Sequence, residues 1–277
     1  MNYLDRLREK SQASGNIICM GIDPSIEKMP HIKDTETSIS TFFLDILQAL
    51  EGENILIPTV KPNIAFFEQY GFEGLRALKK IIEKYKGKGI DVILDAKRAD
   101  IGKTSEAYAK SVFNFWNADA VTVNPYLGYD GISPFLDFEG KGTYVLNRTS
   151  NKSATEIQDL NADGSKVYMK VSELICKWHK PGLGAVVGAT YSRELAEISS
   201  FYVNSGLSVP LLIPGLGSQG GSGKEVVETL EKTGNPLWMH RVNSSSGISY
   251  AYLKQDSSDY AGCAVNEIKK LAKELKV

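Results

Sequence analysis

Asp91-Val-Ile-Leu-Asp95-Ala-Lys97-Arg-Ala-Asp100-Ile101-Gly-Lys-Thr104 sets a short apolar run directly against a cluster of charges. Asp91 to Leu94 reads as a buried strand, and an apolar-periodic helix is predicted from about Thr104, so the charges stand at a strand's carboxyl end. Two carboxylates flanking a lysine are costly to take out of water, and a chain that gathers them beside a buried strand usually needs them for chemistry. The plainer alternative for the cluster taken alone is a strand-end salt bridge.

Working outward, the same pattern repeats. Apolar runs predict strands at 16–23, 55–63, 91–97, 120–125, 143–149, 184–190, 210–214 and 236–243, and several of them end in a polar or charged residue. Helical periodicity fills the intervals at about 38–50, 65–85, 104–116, 132–138, 166–178, 193–203, 224–232 and 260–275. Near-continuous apolar strands alternating with helices are what a closed parallel barrel demands, because its strands are buried on both faces. The sequence therefore predicts an α/β fold, a (β/α)8 TIM barrel forming a single domain over 1–277. A doubly wound open sheet gives a similar alternation, but the strand count and the polar strand ends favour closure. The polar stretch 150–164 after the fifth strand reads as an active-site loop excursion.

Composition narrows the function. A chain of 277 residues, 42% hydrophobic with a net charge of −1, can bury a large core and has no basic field for a polyphosphate backbone, so nucleic acid is not an expected partner. Cys19, Cys176 and Cys263 are odd in number and far apart, which fits a reducing compartment, and the cytoplasm is the expected location. The opening residues 1–10 form a charged amphipathic segment rather than a signal peptide. No apolar run reaches membrane-spanning length, so no membrane association is expected.

In a barrel the carboxyl ends of all the strands converge on one rim. Asp23, Lys61 with Asn63, Asp95 with Lys97 and Asp100, Asn124, Thr149 with Ser150 and Asn151, Thr190, the glycines after Pro214, and Asn243 with three serines are thereby brought together. Lys61, Asp95, Lys97 and Asp100 can alternate in sign, which keeps the lysines protonated. That argues against a Schiff-base lysine and for a cationic Lys97 that stabilises developing negative charge and then donates a proton. Mg²⁺ held by Asp95 and Asp100 is the minority reading, because Lys97 between them competes with a metal, so no metal is expected.

The segment 214–221, Pro-Gly-Leu-Gly-Ser-Gln-Gly-Gly, follows the seventh strand and opens a helix, which suits a phosphate. It also spells Gly-x-Gly-x-x-Gly, but the dinucleotide fingerprint belongs to a first strand, and His240 stands where a ribose-binding acid is wanted. His31, His179 and His240 have no ligand spacing and are given structural roles. Trp116, Trp178 and Phe135 read as packing.

These residues together resemble the orotidine 5'-phosphate decarboxylase family, in its longer branch. The signature Asp-x-Lys-x-x-Asp-Ile/Leu-x-x-Thr is met by Asp95, Lys97, Asp100, Ile101 and Thr104, the first-strand aspartate by Asp23, and the second-strand lysine by Lys61-Pro-Asn63. Thr149-Ser150-Asn151 and Gly188-Ala-Thr190 fit the same branch. The resemblance implies a cofactor-free decarboxylation of orotidine 5'-monophosphate to uridine 5'-monophosphate. Its catalytic set would be Lys61, Asp95, Lys97 and Asp100. Asp23, Lys61 and Asn63 would hold the ribose, Thr149 and Ser150 the base, and Gln219 and Gly220 the phosphate. Asp100, Ile101 and Thr104 would contact substrate as well, Asp100 and Thr104 across the interface of a homodimer with shared sites. One departure stands out: where the family has an arginine after the eighth strand, this chain has Ser246. Lys224 and Arg148 are the sequence's candidates to compensate. Two rival functions are a Mg²⁺-dependent sugar-phosphate decarboxylase of a sister barrel family, and a nucleotide-phosphate-binding protein whose catalysis has decayed.

Overall fold

In the computed structural model, described over residues 1–30, 33–217 and 220–277, eight parallel strands close into a barrel wrapped by helices. Chain order gives β1 (Ile18–Ile22), β2 (Thr59–Pro62), β3 (Asp91–Arg98), β4 (Ala120–Val123), β5 (Gly142–Arg148), β8 (Leu183–Val187), β9 (Leu211–Pro214) and β10 (Arg241–Ser244). The two-residue strands β6 (Asn161–Ala162) and β7 (Ser165–Lys166) form an antiparallel hairpin outside the barrel. Barrel neighbours run β1-β2-β3-β4-β5-β8-β9-β10, with β10 pairing back to β1 through Cys19 opposite Asn243. This is the (β/α)8 architecture that the strand–helix alternation predicts.

The apolar residues sort into two cores, as a barrel requires. The larger lies between strands and helices and takes Ile18, Met20, Val60, Val92, Leu94, Val121 and Val145 from the strands against Phe42, Phe43, Ile46, Leu78, Ile81 and Ile268 from the helices. The smaller fills the barrel itself with Cys19, Ile93, Ala120, Tyr144, Val186 and Leu212.

The N-terminal helix Tyr3–Ser14 closes the lower end of the barrel, a role that its charged sequence conceals. Its Tyr3 and Leu7 belong to the barrel's own core, and the Tyr3 and Tyr144 hydroxyls meet at 3.2 Å. A Cβ on Gly142 would fall 2.4 Å from the Tyr3 ring, so only glycine lets the helix seat. Arg241 lies fully buried beneath, donating to Thr59 Oγ1, Ser11 Oγ and the Leu7 carbonyl. Arg6 reaches Asp119 at 2.8 Å and Asp91 at 3.6 Å.

Several elements depart from the periodicity; the strands expected at 55–63 and 184–190 shorten to Thr59–Pro62 and Leu183–Val187, and three departures bear on the local backbone. The helix expected over 65–85 is two, Ala65–Glu68 and Gly71–Gly87, broken where Gly71 takes φ 60°. The helix Gly102–Lys110 runs on into a π-helical turn, Ser111–Phe115. The eighth barrel strand starts at Arg241 and not Pro236, because Leu237–Met239 coils into a 3-10 turn after the proline.

Candidate active site

A cavity of about 700 Å³ opens at the carboxyl ends of the strands. Asp23, Lys61, Asn63, Asp95, Lys97, Thr149 and Ser150, all anticipated from strand ends, line it. Register brings them together: Gly21 of β1 lies opposite Lys61 of β2, and Asn63 bridges to Asp95 of β3.

At its centre is the Asp95 carboxylate, buried and held on both oxygens. Lys61 Nζ donates to Oδ2 at 2.9 Å, while Lys97 Nζ and Thr122 Oγ1 donate to Oδ1 at 2.7 and 2.8 Å. Burial alone would raise the pKa of Asp95, but the ammonium groups of Lys61 and Lys97 override it and hold the carboxyl well below the usual range. Burial likewise favours a neutral Lys61, yet the carboxylates of Asp95 and then Asp23 hold its pKa above the ordinary value. Asp95 is thus ionised and Lys61 charged at neutral pH. Lys61 is sealed in, whereas the Lys97 side chain is 50% exposed. Lys97 therefore presents an ammonium to the cavity with a fixed carboxylate behind it.

The backbone at this point is irregular. Pairing of β3 with β4 slips between Leu94 and Arg98, and Lys97 takes φ 44°, a left-handed conformation that a side chain with a Cβ resists. The bulge takes the N–H groups of Ala96 and Lys97 to the Thr122 hydroxyl, at 3.1 and 3.0 Å. Thr122 Oγ1 thus accepts two backbone N–H groups and donates its own hydrogen bond to Asp95 Oδ1. It was not foreseen: inside Ala120-Val-Thr-Val it reads as an ordinary β-branched strand residue.

Elsewhere on the rim, Asp23 has one buried carboxylate oxygen with no hydrogen-bond partner among the described residues, an atom that wants a donor. A Cβ on Gly21 would fall 1.8 Å from Ser245 Oγ, so the first strand passes the serines after β10 only as glycine. Thr149 is clamped by Gln158, whose Oε1 accepts from Thr149 N at 2.9 Å and whose Nε2 donates to Thr149 Oγ1 at 2.7 Å. Gln158 lines the cavity from the 150–164 segment, a reach that no sequence spacing could reveal.

Asp100, Ile101 and Thr104 stand outside the cavity. Asp100 accepts from the Ile101 N–H, and among the described residues it joins no ion pair, so the Lys61–Asp95–Lys97 alternation stops at Lys97 within one chain. Gly215 and Leu216 line the cavity and Gly220 does not; Gln219, with Ser218, lies outside the described residues. The glycine turn follows β9, the seventh barrel strand, which removes the dinucleotide reading.

The cations proposed to stand in for the absent arginine are elsewhere. Arg148 is buried under Tyr191, 4.5 Å from its ring, and pairs with Asp159, and Lys224 lies on an outer helix beside Glu228; nor can Arg241 of β10 serve, since it is at the opposite end of the barrel. His240 is buried, with burial and then Arg241 pushing its pKa down to about 3, so the neutral ring accepts from Leu211 N and donates to Asn235 Oδ1. His31 lies outside the described residues. With both oxygens of Asp95 committed to lysines and Thr122, the carboxylate is poorly placed to take Mg²⁺ as well.

A model of the orotidine 5'-phosphate decarboxylase / HUMPS family matches residues 17–235. The chain is 40% identical over 256 residues to an orotidine 5'-phosphate decarboxylase of Janthinobacterium sp., covering 91% of this chain and 90% of that one. It is 39% identical over 276 residues to the same-named protein of Flavobacterium johnsoniae, covering 98% and 96%. Among solved structures, Leishmania donovani OMP decarboxylase superposes with a TM-score of 0.79 at 29% identity over 99% of both chains.

Proposed function

This chain belongs to the orotidine 5'-phosphate decarboxylase / HUMPS family, and on that premise we propose how its own side chains convert orotidine 5'-monophosphate to uridine 5'-monophosphate and CO2 in pyrimidine biosynthesis. The observation that carries the reading is the half-exposed Lys97 ammonium, 2.7 Å from a buried and ionised Asp95 at the cavity wall.

The pyrimidine seats against Thr149 and Ser150, with its C6 carboxylate beside Asp95 and Lys97. The C6–carboxylate bond breaks heterolytically, CO2 leaves, and the electron pair stays on C6 in the ring plane, where the π-system cannot spread it. A fixed ammonium is the stabilisation available for such a carbanion, and a preorganised one costs no reorganisation as charge develops. Lys97 then gives a proton to C6 and regains one from water. Asp95 holds the ammonium in place and disfavours the neighbouring carboxylate of the bound substrate. Lys61 supports Asp95, and Asp23 and Asn63 take the ribose hydroxyls; the unpartnered oxygen of Asp23 supports that assignment. The phosphate is assigned to the turn after β9 that carries Gln219 and Gly220 in its sequence, with Gly215 and Leu216 as the part that lines the cavity.

The active form in this reading is a homodimer in the cytoplasm. Ile101 (53% exposed), Tyr126 (83%) and Leu127 (45%) leave apolar surface beside Asp100, which favours a second copy there, with Asp100 and Thr104 completing its site. The three cysteines are free, in keeping with a reducing compartment. Among the described residues, no helix is long and apolar enough to cross a membrane.

Loss of orotidine 5'-phosphate absorbance with purified protein tests the reaction. Turnover is expected, with Lys97→Ala at least about 10³-fold slower, as befits removal of both the charge and the proton donor. No turnover at high substrate, with Lys97→Ala indistinguishable from the starting protein, would sink the proposal.

A further inference from the structure

We infer that Lys28 is the cation that receives the substrate's phosphate. The inference rests on the proposed substrate, a nucleotide whose phosphate carries most of two negative charges at neutral pH. Bringing that dianion into a cavity without an opposing charge is costly. Among the described residues the cavity is lined by three cations, Lys28, Lys61 and Lys97, and by no arginine. Lys61 and Lys97 are both spent on Asp95, at 2.9 and 2.7 Å. Lys28 has no ion pair within 4.0 Å among the described residues, and its sequence neighbour Glu27 is taken up by Ser25 Oγ at 2.9 Å.

Its position is built rather than incidental. Lys28 ends the 3-10 turn Ile26–Lys28, which is pinned at both ends to the segment after β10. The Tyr250 hydroxyl accepts from Ser25 N at 2.9 Å and donates to the Asp23 carbonyl at 3.0 Å, and the Tyr252 hydroxyl donates to the Lys28 carbonyl. Lys28 Nζ then lies over the Tyr250 ring, 5.6 Å from its centre. Tyr250 N in turn bonds the Ser246 carbonyl, so this ammonium shares one wall with Ser245, Ser246, Gly215 and Leu216. That wall offers hydroxyls and backbone, and Lys28 supplies its charge. A lysine binds phosphate as a point charge and does not need the fixed fork of an arginine.

The test separates phosphate from nucleoside. Binding of uridine 5'-monophosphate and of uridine is measured by calorimetry for the starting protein, Lys28→Ala and Lys28→Arg, alongside kcat/KM for orotidine 5'-phosphate. Lys28→Ala should weaken uridine 5'-monophosphate about 10-fold or more while leaving uridine within about 2-fold, lower kcat/KM in parallel, and be largely restored in Lys28→Arg. Equal losses for nucleotide and nucleoside, or no loss for either, would overturn the inference. The binding arm stands apart from catalysis: if the starting protein binds uridine 5'-monophosphate in a Lys28-dependent way but turns over no substrate, the proposed reaction fails and the phosphate assignment survives.

Discussion

Replacing Thr122 by valine removes one hydroxyl and changes almost no volume, so it tests whether the proposed role of Lys97 depends on that oxygen. Thr122 Oγ1 makes a charge-assisted bond to Asp95 at 2.8 Å and accepts the N–H groups of Ala96 and Lys97 at 3.1 and 3.0 Å. A hydrogen bond to a charged group contributes about 1.5–3 kcal/mol, and each backbone N–H left without a partner costs about 1–3 kcal/mol more unless water reaches it. Ala96 is only half-buried and Lys97 exposed, so water can repair part of the loss, leaving about 2–4 kcal/mol in total. For a chain of this size that lowers Tm by roughly 3–7 °C.

The effect on catalysis follows from strain. Lys97 holds φ 44° because the bulge is tied to Thr122, and a left-handed residue with a Cβ costs about 1–2 kcal/mol. Untied, the backbone relaxes toward the extended region and carries the ammonium away. A displacement near 1 Å is worth about 10²-fold in rate, so Thr122→Val should lower kcat about 10–100-fold while KM moves less than about 3-fold. Thr122→Ser keeps the hydroxyl and should stay within about 3-fold of the starting protein. Spectrophotometric decarboxylation and thermal melts of both variants measure this. A folded Thr122→Val with unchanged kcat, or a serine variant as poor as the valine, would refute the reasoning.

Three further outcomes are expected. Lys97→Ala and Asp100→Ala, each inactive alone, should regain up to about a quarter of the starting activity when mixed and allowed to exchange subunits, because a hybrid dimer holds one site with neither lesion; no recovery despite exchange would place Asp100 in its own chain's site. Ser246→Arg should lower KM for orotidine 5'-phosphate and, combined with Lys28→Ala, restore much of the lost affinity, which a calorimetric titration of the double variant checks. Below the barrel, burial and then the neighbouring Asp119 push the pKa of Asp91 up to about 6, despite Arg6 at 3.6 Å. A raised folded-state pKa means that the stability this group contributes is present below its unfolded value near 4 and lost as pH rises through 6. Asp91→Asn should therefore stabilise by up to about 3 kcal/mol at pH 8 and by little at pH 4; a variant destabilised equally at both pH values would show that the ion pair with Arg6 outweighs burial.

The sequence made the barrel and the Asp95–Lys97 centre legible for one reason: both follow from strand ends. Apolar runs locate the strands, parallel closure gathers their carboxyl ends, and a charge written at such an end has little choice of destination. What it hid depends on register and on side-chain reach. Tyr3 and Leu7 look like parts of a charged surface helix until the open lower end of a barrel needs a plug. Arg241 lies on β10 two residues from Asn243, yet it faces the opposite end of the molecule. Gln158 acts from within a polar excursion whose path no periodicity dictates.

Thr122 is the sharpest case. Were β3 in register with β4 through Lys97, the N–H groups of Ala96 and Lys97 would have no need of a side-chain acceptor. Because pairing slips between Leu94 and Arg98, a donor–acceptor at position 122 becomes necessary, and a hydroxyl that accepts from the backbone while donating a hydrogen bond to Asp95 serves the backbone and the carboxylate together. The charges at this site are written in the local sequence, but the geometry that makes them useful comes from a misfit between two strands.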